Sequence, residues 1–217
     1  MKSPYDVLRT ITSSRLRLDI LRSLESPMRL SDLRRVVDSN APNTSAKARD
    51  LQRLNLIKRD NGDYEITRMG ELVRKRVLML LDTLTVLYEH GDFWSRIIDS
   101  LPDEIIEMIH EFRDARLIAN DRKNLERVKH EISERIKQAR GMLFVVMPAN
   151  CRDMLKAVEK VSGRMETRLV TLRDRPDLHY GLVVADNFAI LFTEMLDMAL
   201  VKDGKIDAGM PHLEVIK

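Results

Sequence analysis

The dipeptide Asn61-Gly62, set between Leu56-Ile57-Lys58-Arg59 and Tyr64-Glu65-Ile66-Thr67, constrains this chain more than any other feature. Asn-Gly readily takes two successive left-handed backbone conformations, which a tight hairpin requires and most side chains resist. Two short strands are therefore expected around residues 60–63. The chain before them reads as helical. Asn55 stands where a helix must stop and turn, and Asn tolerates the left-handed geometry needed there. Asn40 suits an N-cap, Pro42 fits a first helical turn, and Thr44, Ala48, Leu51 and Leu54 fall on one face. Further upstream, Ser13 and Ser14 can cap a helix whose face is Leu18, Ile20, Leu21 and Leu24, ended by Ser26-Pro27. Ser31 can cap a second, with Leu33, Val36 and Val37 inward, interrupted at Asp38-Ser39-Asn40.

Three helices followed by a hairpin predict a winged helix-turn-helix over residues 1–76. Charge supports that division. Residues 1–76 hold 17 Lys and Arg against 10 Asp and Glu, while the rest of the chain holds 20 against 24. A basic module beside an acidic one suggests that a polyanion meets the first half. In a helix-turn-helix the second helix enters the major groove of duplex DNA. With Thr44, Ala48 and Leu51 inward, helical spacing leaves Asn43, Ser45, Lys47, Arg49 and Arg53 outward or flanking. Asn43 and Lys47 are the expected base readers, since Asn pairs with adenine and Lys donates to guanine acceptors. Arg49 and Arg53 are expected on phosphates, with Lys58, Arg59 and Asn61 of the wing on the adjoining backbone or minor groove.

From Met69 to Tyr88 the pattern is helical again. Val73, Val77, Leu80, Leu84 and Leu87 recur at spacings of four and three, a heptad-like seam that serves either the body of its own subunit or a dimer. This assigns residues 77–100 to a linking or dimerisation helix. Residues 101–217 are expected to form an α/β sensing or dimerisation domain, so the fold class is α+β. There, Glu104 to Ile118 and Asp121 to Arg140 read as surface helices. Met142 to Met147, Thr167 to Leu172, Leu182 to Ala185, Ala189 to Thr193 and Met198 to Lys202 read as strands of a small mixed sheet, with a helix near residues 152–161.

Two resemblances can now be given. Leu51-Gln52-Arg53-Leu54-Asn55-Leu56-Ile57 with Tyr64-Glu65-Ile66-Thr67-Arg68-Met69-Gly70-Glu71-Leu72 resembles the winged-helix regulators of the ArsR and MarR type over about residues 14–76. Those families usually carry Gly where Asn55 stands and a larger aliphatic residue where Ala48 stands. The arrangement with Ser100-Leu101-Pro102-Asp103-Glu104, the run Met142 to Met147 and Tyr180-Gly181-Leu182-Val183-Val184-Ala185-Asp186 is similar to archaeal two-domain regulators that include the methanogenesis regulatory proteins. The resemblance implies an archaeal transcription factor whose C-terminal domain is related to phospholipase D-like folds, used as sensors in some sugar-responsive repressors. The expected partners are double-stranded DNA, a second copy of the chain and a small-molecule effector.

Catalytic chemistry has few starting points. Phospholipase D-like hydrolysis needs a His, a Lys two residues later and an Asp five beyond it, and none of His90, His110, His130, His179 or His212 has that full context. No glycine-rich phosphate loop and no close metal-ligand spacing occur, so neither cofactor nor metal is expected. Cys151 is the only cysteine, which fits a reducing cytoplasm; it reads as a small, partly buried side chain, with redox sensing as the alternative. No apolar run approaches the roughly 20 residues needed to span a bilayer. If an effector binds, strand-end positions such as Pro148, Ala149, Asn150 and Arg152 are the expected seat. An RNA-binding winged helix, a protein-assembly module and a catalytic C-terminal domain stay open as other readings.

Overall fold

The computed structural model describes residues 3–148, 151–172 and 179–204. The chain divides into two units between Leu80 and Leu81.

In the first unit, α1 (Pro4–Thr12) starts on a reciprocal cap. The Ser3 hydroxyl accepts from the Asp6 N–H while the Asp6 carboxylate accepts from the Ser3 N–H, both at 3.2 Å. This helix is an addition to the three read from the sequence. α2 (Arg15–Ser23) begins after Ser14, whose side chain makes no cap bond, and it buries Ile20 and Leu21. β1 (Met28–Arg29) leads into α3 (Leu30–Val36), which buries Leu33 but leaves Val36 exposed. α4 (Ala41–Arg53) follows the turn at Asp38, whose φ is +46°.

α4 ends as its sequence requires. The Leu56 N–H bonds to the Leu51 carbonyl and the Asn55 N–H to the Gln52 carbonyl, closing a Schellman turn with Asn55 at φ +56°. β2 (Ile57–Asp60) and β3 (Asp63–Ile66) then pair antiparallel through Asn61-Gly62, and β1 adds on the far side of β3. Thr67 starts α5 (Arg68–Glu89) by accepting the Gly70 N–H at 3.0 Å.

The second unit is built on a six-stranded sheet, ordered β4-β9-β8-β7-β5-β6. Its strands are β4 (Arg116–Ala119), β5 (Met142–Pro148), β6 (Glu166–Leu172), β7 (Tyr180–Ala185), β8 (Phe188–Thr193) and β9 (Met198–Asp203). All neighbours are antiparallel except β5 and β6, joined by the crossover helix α9 (Arg152–Ser162). Both faces of the sheet are covered. Leu143, Val145, Val183 and Ile190 pack with α8 (Arg127–Gln138) and α9. Phe144, Val146, Leu182 and Leu191 pack with Val86 of α5, with Phe93, Trp94 and Ile97 of α6 (Gly91–Ile97), and with Ile105 of α7 (Asp103–Glu107). Burial on both sides is why these strands read as continuous apolar runs instead of alternating ones.

Two sequence expectations change here: the surface helix read over Asp121 to Arg140 is confined to α8, which buries Val128, Ile132 and Ile136, and the stretch before it is reorganised. Glu104 to Ile118 is not a single surface helix but α7, a 3-10 turn over Ile109–Phe112 and strand β4. Asp114, at φ +61°, turns the chain into the strand, and Ile105, Ile109 and Phe112 are core residues.

Candidate nucleic-acid interface

The orientation of α4 is fixed by what it buries. Thr44, Ala48 and Leu51 are fully buried, and the Thr44 hydroxyl donates to the Asn40 carbonyl at 2.9 Å. The Asn40 side chain caps the helix by accepting from the Asn43 N–H at 2.9 Å. A second anchor comes from α2. Arg17 donates to Asp50 through Nη2 and Nε at 2.6 and 3.1 Å, and through Nη1 to the Thr10 carbonyl at 2.8 Å. The Arg17 hydrogen bond holds the Asp50 carboxyl below its ordinary range, against the opposing effect of desolvation; Arg17, Lys47 and Arg53 charges add to the lowering.

These contacts sort the predicted readers. Asn43, Arg49 and Arg53 are exposed, while Ser45 and Lys47 are only half exposed. Arg53 leans back on Asp50 at 3.5 Å. Arg49 has no ion-pair partner among the described residues. The outward face of α4 is thus headed by Asn43 and Arg49, and Lys47, named with Asn43 from the sequence, lies toward the flank.

In the wing, Lys58 pairs with Glu65 directly across the hairpin at 3.0 Å, which raises the lysine pKa. Arg59 lies 5.5 Å from the Tyr64 ring centroid and donates to the Gly62 carbonyl at 3.3 Å, so its guanidinium is steered toward the wing tip. Asn61 takes φ +49° and Gly62 φ +94° at that tip. Arg59 and Asn61 are exposed there, whereas much of the Lys58 charge is spent on Glu65.

Sequence reasoning passed over α3. Arg34 and Arg35 are exposed beside Asp38, Ser39 and Asn40, and together these residues line a shallow concavity just before α4. The signal was present as two adjacent arginines ahead of the turn, but nothing in their spacing set them apart from a solvated face.

The apolar seam of α5 is divided three ways. Val77 is buried and Val73 half-buried in the first unit, Leu87 packs on the core of the second, and Leu80 and Leu84 are 52% and 41% exposed. Met69, Leu72 and Tyr88 of the same helix are also exposed.

In the second unit, burial pushes the Cys151 thiol up to about 11, with the Glu194 charge adding to it, so no thiolate forms at neutral pH. That favours the packing role over redox sensing. His179 and Asp186 stand at the spacing of the phospholipase D-type His and Asp, with Gly181 at the lysine position. A Cβ at Gly181 would lie 2.1 Å from Phe192 Cζ, so the aromatic ring fills the space a lysine stem needs. His179 Nδ1 pairs instead with Glu194 at 2.8 Å. Of the expected effector positions, Pro148 is buried at the end of β5, while Ala149, Asn150 and the Arg152 side chain lie outside the described residues.

Comparison with known families finds a match in the N-terminal part of the chain. Its sequence matches the N-terminal domain of the methanogenesis regulatory protein FilR1 from residue 5 to residue 87, a stretch that spans α1, the wing and nearly all of α5. The resemblance to the methanogenesis regulatory protein group is borne out at the N-terminus, and the matching residues are not the C-terminal strands that suggested it.

No curated protein matches the chain. Among solved structures, the archaeal chromatin protein TrmBL2, described as showing a novel mode of DNA binding, is similar at 10% identity and a TM-score of 0.31, covering 91% of this chain and 90% of that one. HmgR of Pseudomonas aeruginosa is similar at 11% identity and 0.31, covering 90% and 86%. The dimethyltransferase RosA of Streptomyces davawensis is similar at 11% and 0.33, covering 78% and 64%. Scores this low group the chain with none of the three. Among the described residues, no helix is long and apolar enough to cross a membrane.

Proposed function

We propose that the chain is a sequence-specific DNA-binding transcription regulator that acts as a homodimer, with a small-molecule effector bound to its second unit. One observation carries the DNA reading. α4 buries Thr44, Ala48 and Leu51 and so turns Asn43 and Arg49 outward, beside a wing whose tip carries Arg59 and Asn61. Asn43 and Arg49 then read base edges, because Asn matches adenine and a guanidinium matches the two acceptors of guanine. Lys47 and Arg53 hold the flanking phosphates, and Arg59 and Asn61 meet the neighbouring backbone or minor groove. Lys58 contributes least, since Glu65 already offsets its charge.

Dimerisation follows from reach. One winged helix contacts few base pairs, and two copies across a palindromic site multiply affinity and selectivity. Leu80 and Leu84 offer the surface for it, as the exposed members of a seam whose other residues are buried or half-buried. The reading places the protein in the cytoplasm, with its operator. The test is competition: duplex DNA is expected to displace a labelled operator better than single-stranded or hairpin RNA of equal length, and better displacement by RNA would overturn this reading.

A further inference from the structure

The ends of α8 and α9 bring two arginines together in a way that the packing of this unit does not use. β5 and β6 are parallel and in register, Met142 opposite Glu166. Arg140 and Arg164 each lie two residues before those positions, and both line one concavity there. The Glu166 N–H bonds to the Gly141 carbonyl at 3.0 Å, which ties the two approaching segments together at this level. Both arginines are exposed, and both line a concavity with Lys137, Gln138, Ala139, Gly141, Val161 and Met165.

Several basic groups of this unit are matched by carboxylates, Lys137 of the concavity among them. Arg96 pairs with Asp197, Arg113 with Asp82, Arg135 with Glu131 and Asp203, and Lys137 with Glu134 at 2.6 Å. Asp186, next to Gly141, spends one carboxylate oxygen on the Met142 N–H at 3.2 Å. Arg140 and Arg164 have no carboxylate partner among the described residues, and none of the residues lining the concavity is acidic. Each arginine follows a helix C-terminus, where its charge also offsets the helix dipole. Arg140 and Arg164 lie two residues beyond α8 and α9, which end at Gln138 and Ser162.

We propose that Arg140 and Arg164 form an anion clamp, and that its ligand is a compact polyanion carrying a phosphate or several carboxylates. Two planar guanidinium groups lining one concavity offer paired donors to such an anion. The clamp itself stands without the DNA reading. Its service as the effector seat rests on that reading.

Calorimetric titration of the full chain with inorganic pyrophosphate, and separately with citrate, tests the clamp in the absence of DNA. Saturable binding of either with a dissociation constant below about 1 mM, weakened at least tenfold in R140Q/R164Q, is expected. The single variant R140Q, with a circular dichroism spectrum matching the wild type, is expected to show an intermediate loss. The winged-helix variant R49A is expected to bind the anions as the wild type does. No saturable binding of either anion, binding unchanged in R140Q/R164Q, or a loss that appears in R49A instead would overturn the clamp. Operator binding by the same samples without anion is read separately: if it fails while the clamp binds, the regulatory reading falls and the clamp stands.

Discussion

Arg17 and Asp50 join α2 to α4 through two hydrogen bonds onto a single carboxylate oxygen, at 2.6 and 3.1 Å. The pair is partly shielded, with side chains 14% and 26% exposed. It ties α4 at Asp50 to α2, so the outward residues of α4 do not swing independently of the body.

The ion pair makes stability pH-dependent. Asp50 titrates below its ordinary value in the folded chain, chiefly because Arg17 hydrogen-bonds the charged form. Its contribution is therefore fully present above the unfolded value of about 4 and is lost as pH falls through the lowered folded value. Asp50→Asn is expected to cost about 1–2 kcal/mol at neutral pH, reduced from a fully buried pair by the partial exposure. Thermal unfolding of wild type and variant from pH 7 to pH 3 checks this: the two curves should converge at the acid end. A constant gap across the range would show that the carboxylate charge is not what matters.

Gly70 is fixed by close approach. A Cβ there would meet the Leu56 carbonyl oxygen at 1.8 Å, and backbone cannot step aside as a flexible side chain can. Gly70→Ala is expected to destabilise the first unit by about 3 kcal/mol, a strong overpacking cost. Chemical denaturation followed by far-UV circular dichroism reads it, and an unchanged midpoint would contradict this placement of α5 against β2.

Gly181 and Phe192 make a matched pair across β7 and β8. Gly181→Ala alone should destabilise by about 2 kcal/mol, and adding Phe192→Leu should return part of that loss, because the ring end is the obstacle. A double-mutant cycle with additive losses would count against the contact.

The α5 surface gives a prediction about assembly. L80E/L84E changes two side chains that are already exposed, so the fold should be retained while the proposed homodimer weakens by at least tenfold. Light scattering over a concentration series distinguishes the cases: dimer strength equal to wild type would move the interface off this helix.

The local features of the first unit were legible because each depends on near neighbours. Asn40, Asn55 and Asn61-Gly62 announce a cap, a stop and a turn through their own backbone preferences. The first helix escaped, although Ser3-Pro4-Tyr5-Asp6 carries the cap signature, because only Ile11 of its apolar residues is buried. In the second unit the apolar runs marked the sheet, but strand order and the β5–β6 parallel pair arise from distant contacts that no local pattern encodes. Val73, Val77, Leu80, Leu84 and Leu87 were correctly placed on one helix. Which of them the chain itself would bury depends on where each unit ends, and the spacing is silent on that. In α4, inward residues were read well, yet the rank among outward ones depended on Asp50, whose pull on Lys47 and Arg53 needs Arg17 from another helix to be seen.

For base reading, Asn43→Ala and Arg49→Ala should each reduce operator preference by about 1–3 kcal/mol, a loss of roughly ten- to hundredfold, and leave binding to unrelated duplex nearly unchanged. Arg53→Ala should weaken both duplexes alike and lower the salt slope by about 1. Fluorescence anisotropy with the two duplexes separates these patterns, and a uniform loss in the Arg49 variant would reassign it to a phosphate.

The most direct test of the central claim is binding of the purified full chain to the DNA upstream of its own gene, against a scrambled duplex, over a salt series. A sequence-reading regulator loses affinity for both as salt rises, through counterion release, while its preference for the upstream DNA persists. Equal affinity for the two duplexes at every salt concentration, or no binding to either, would contradict the account.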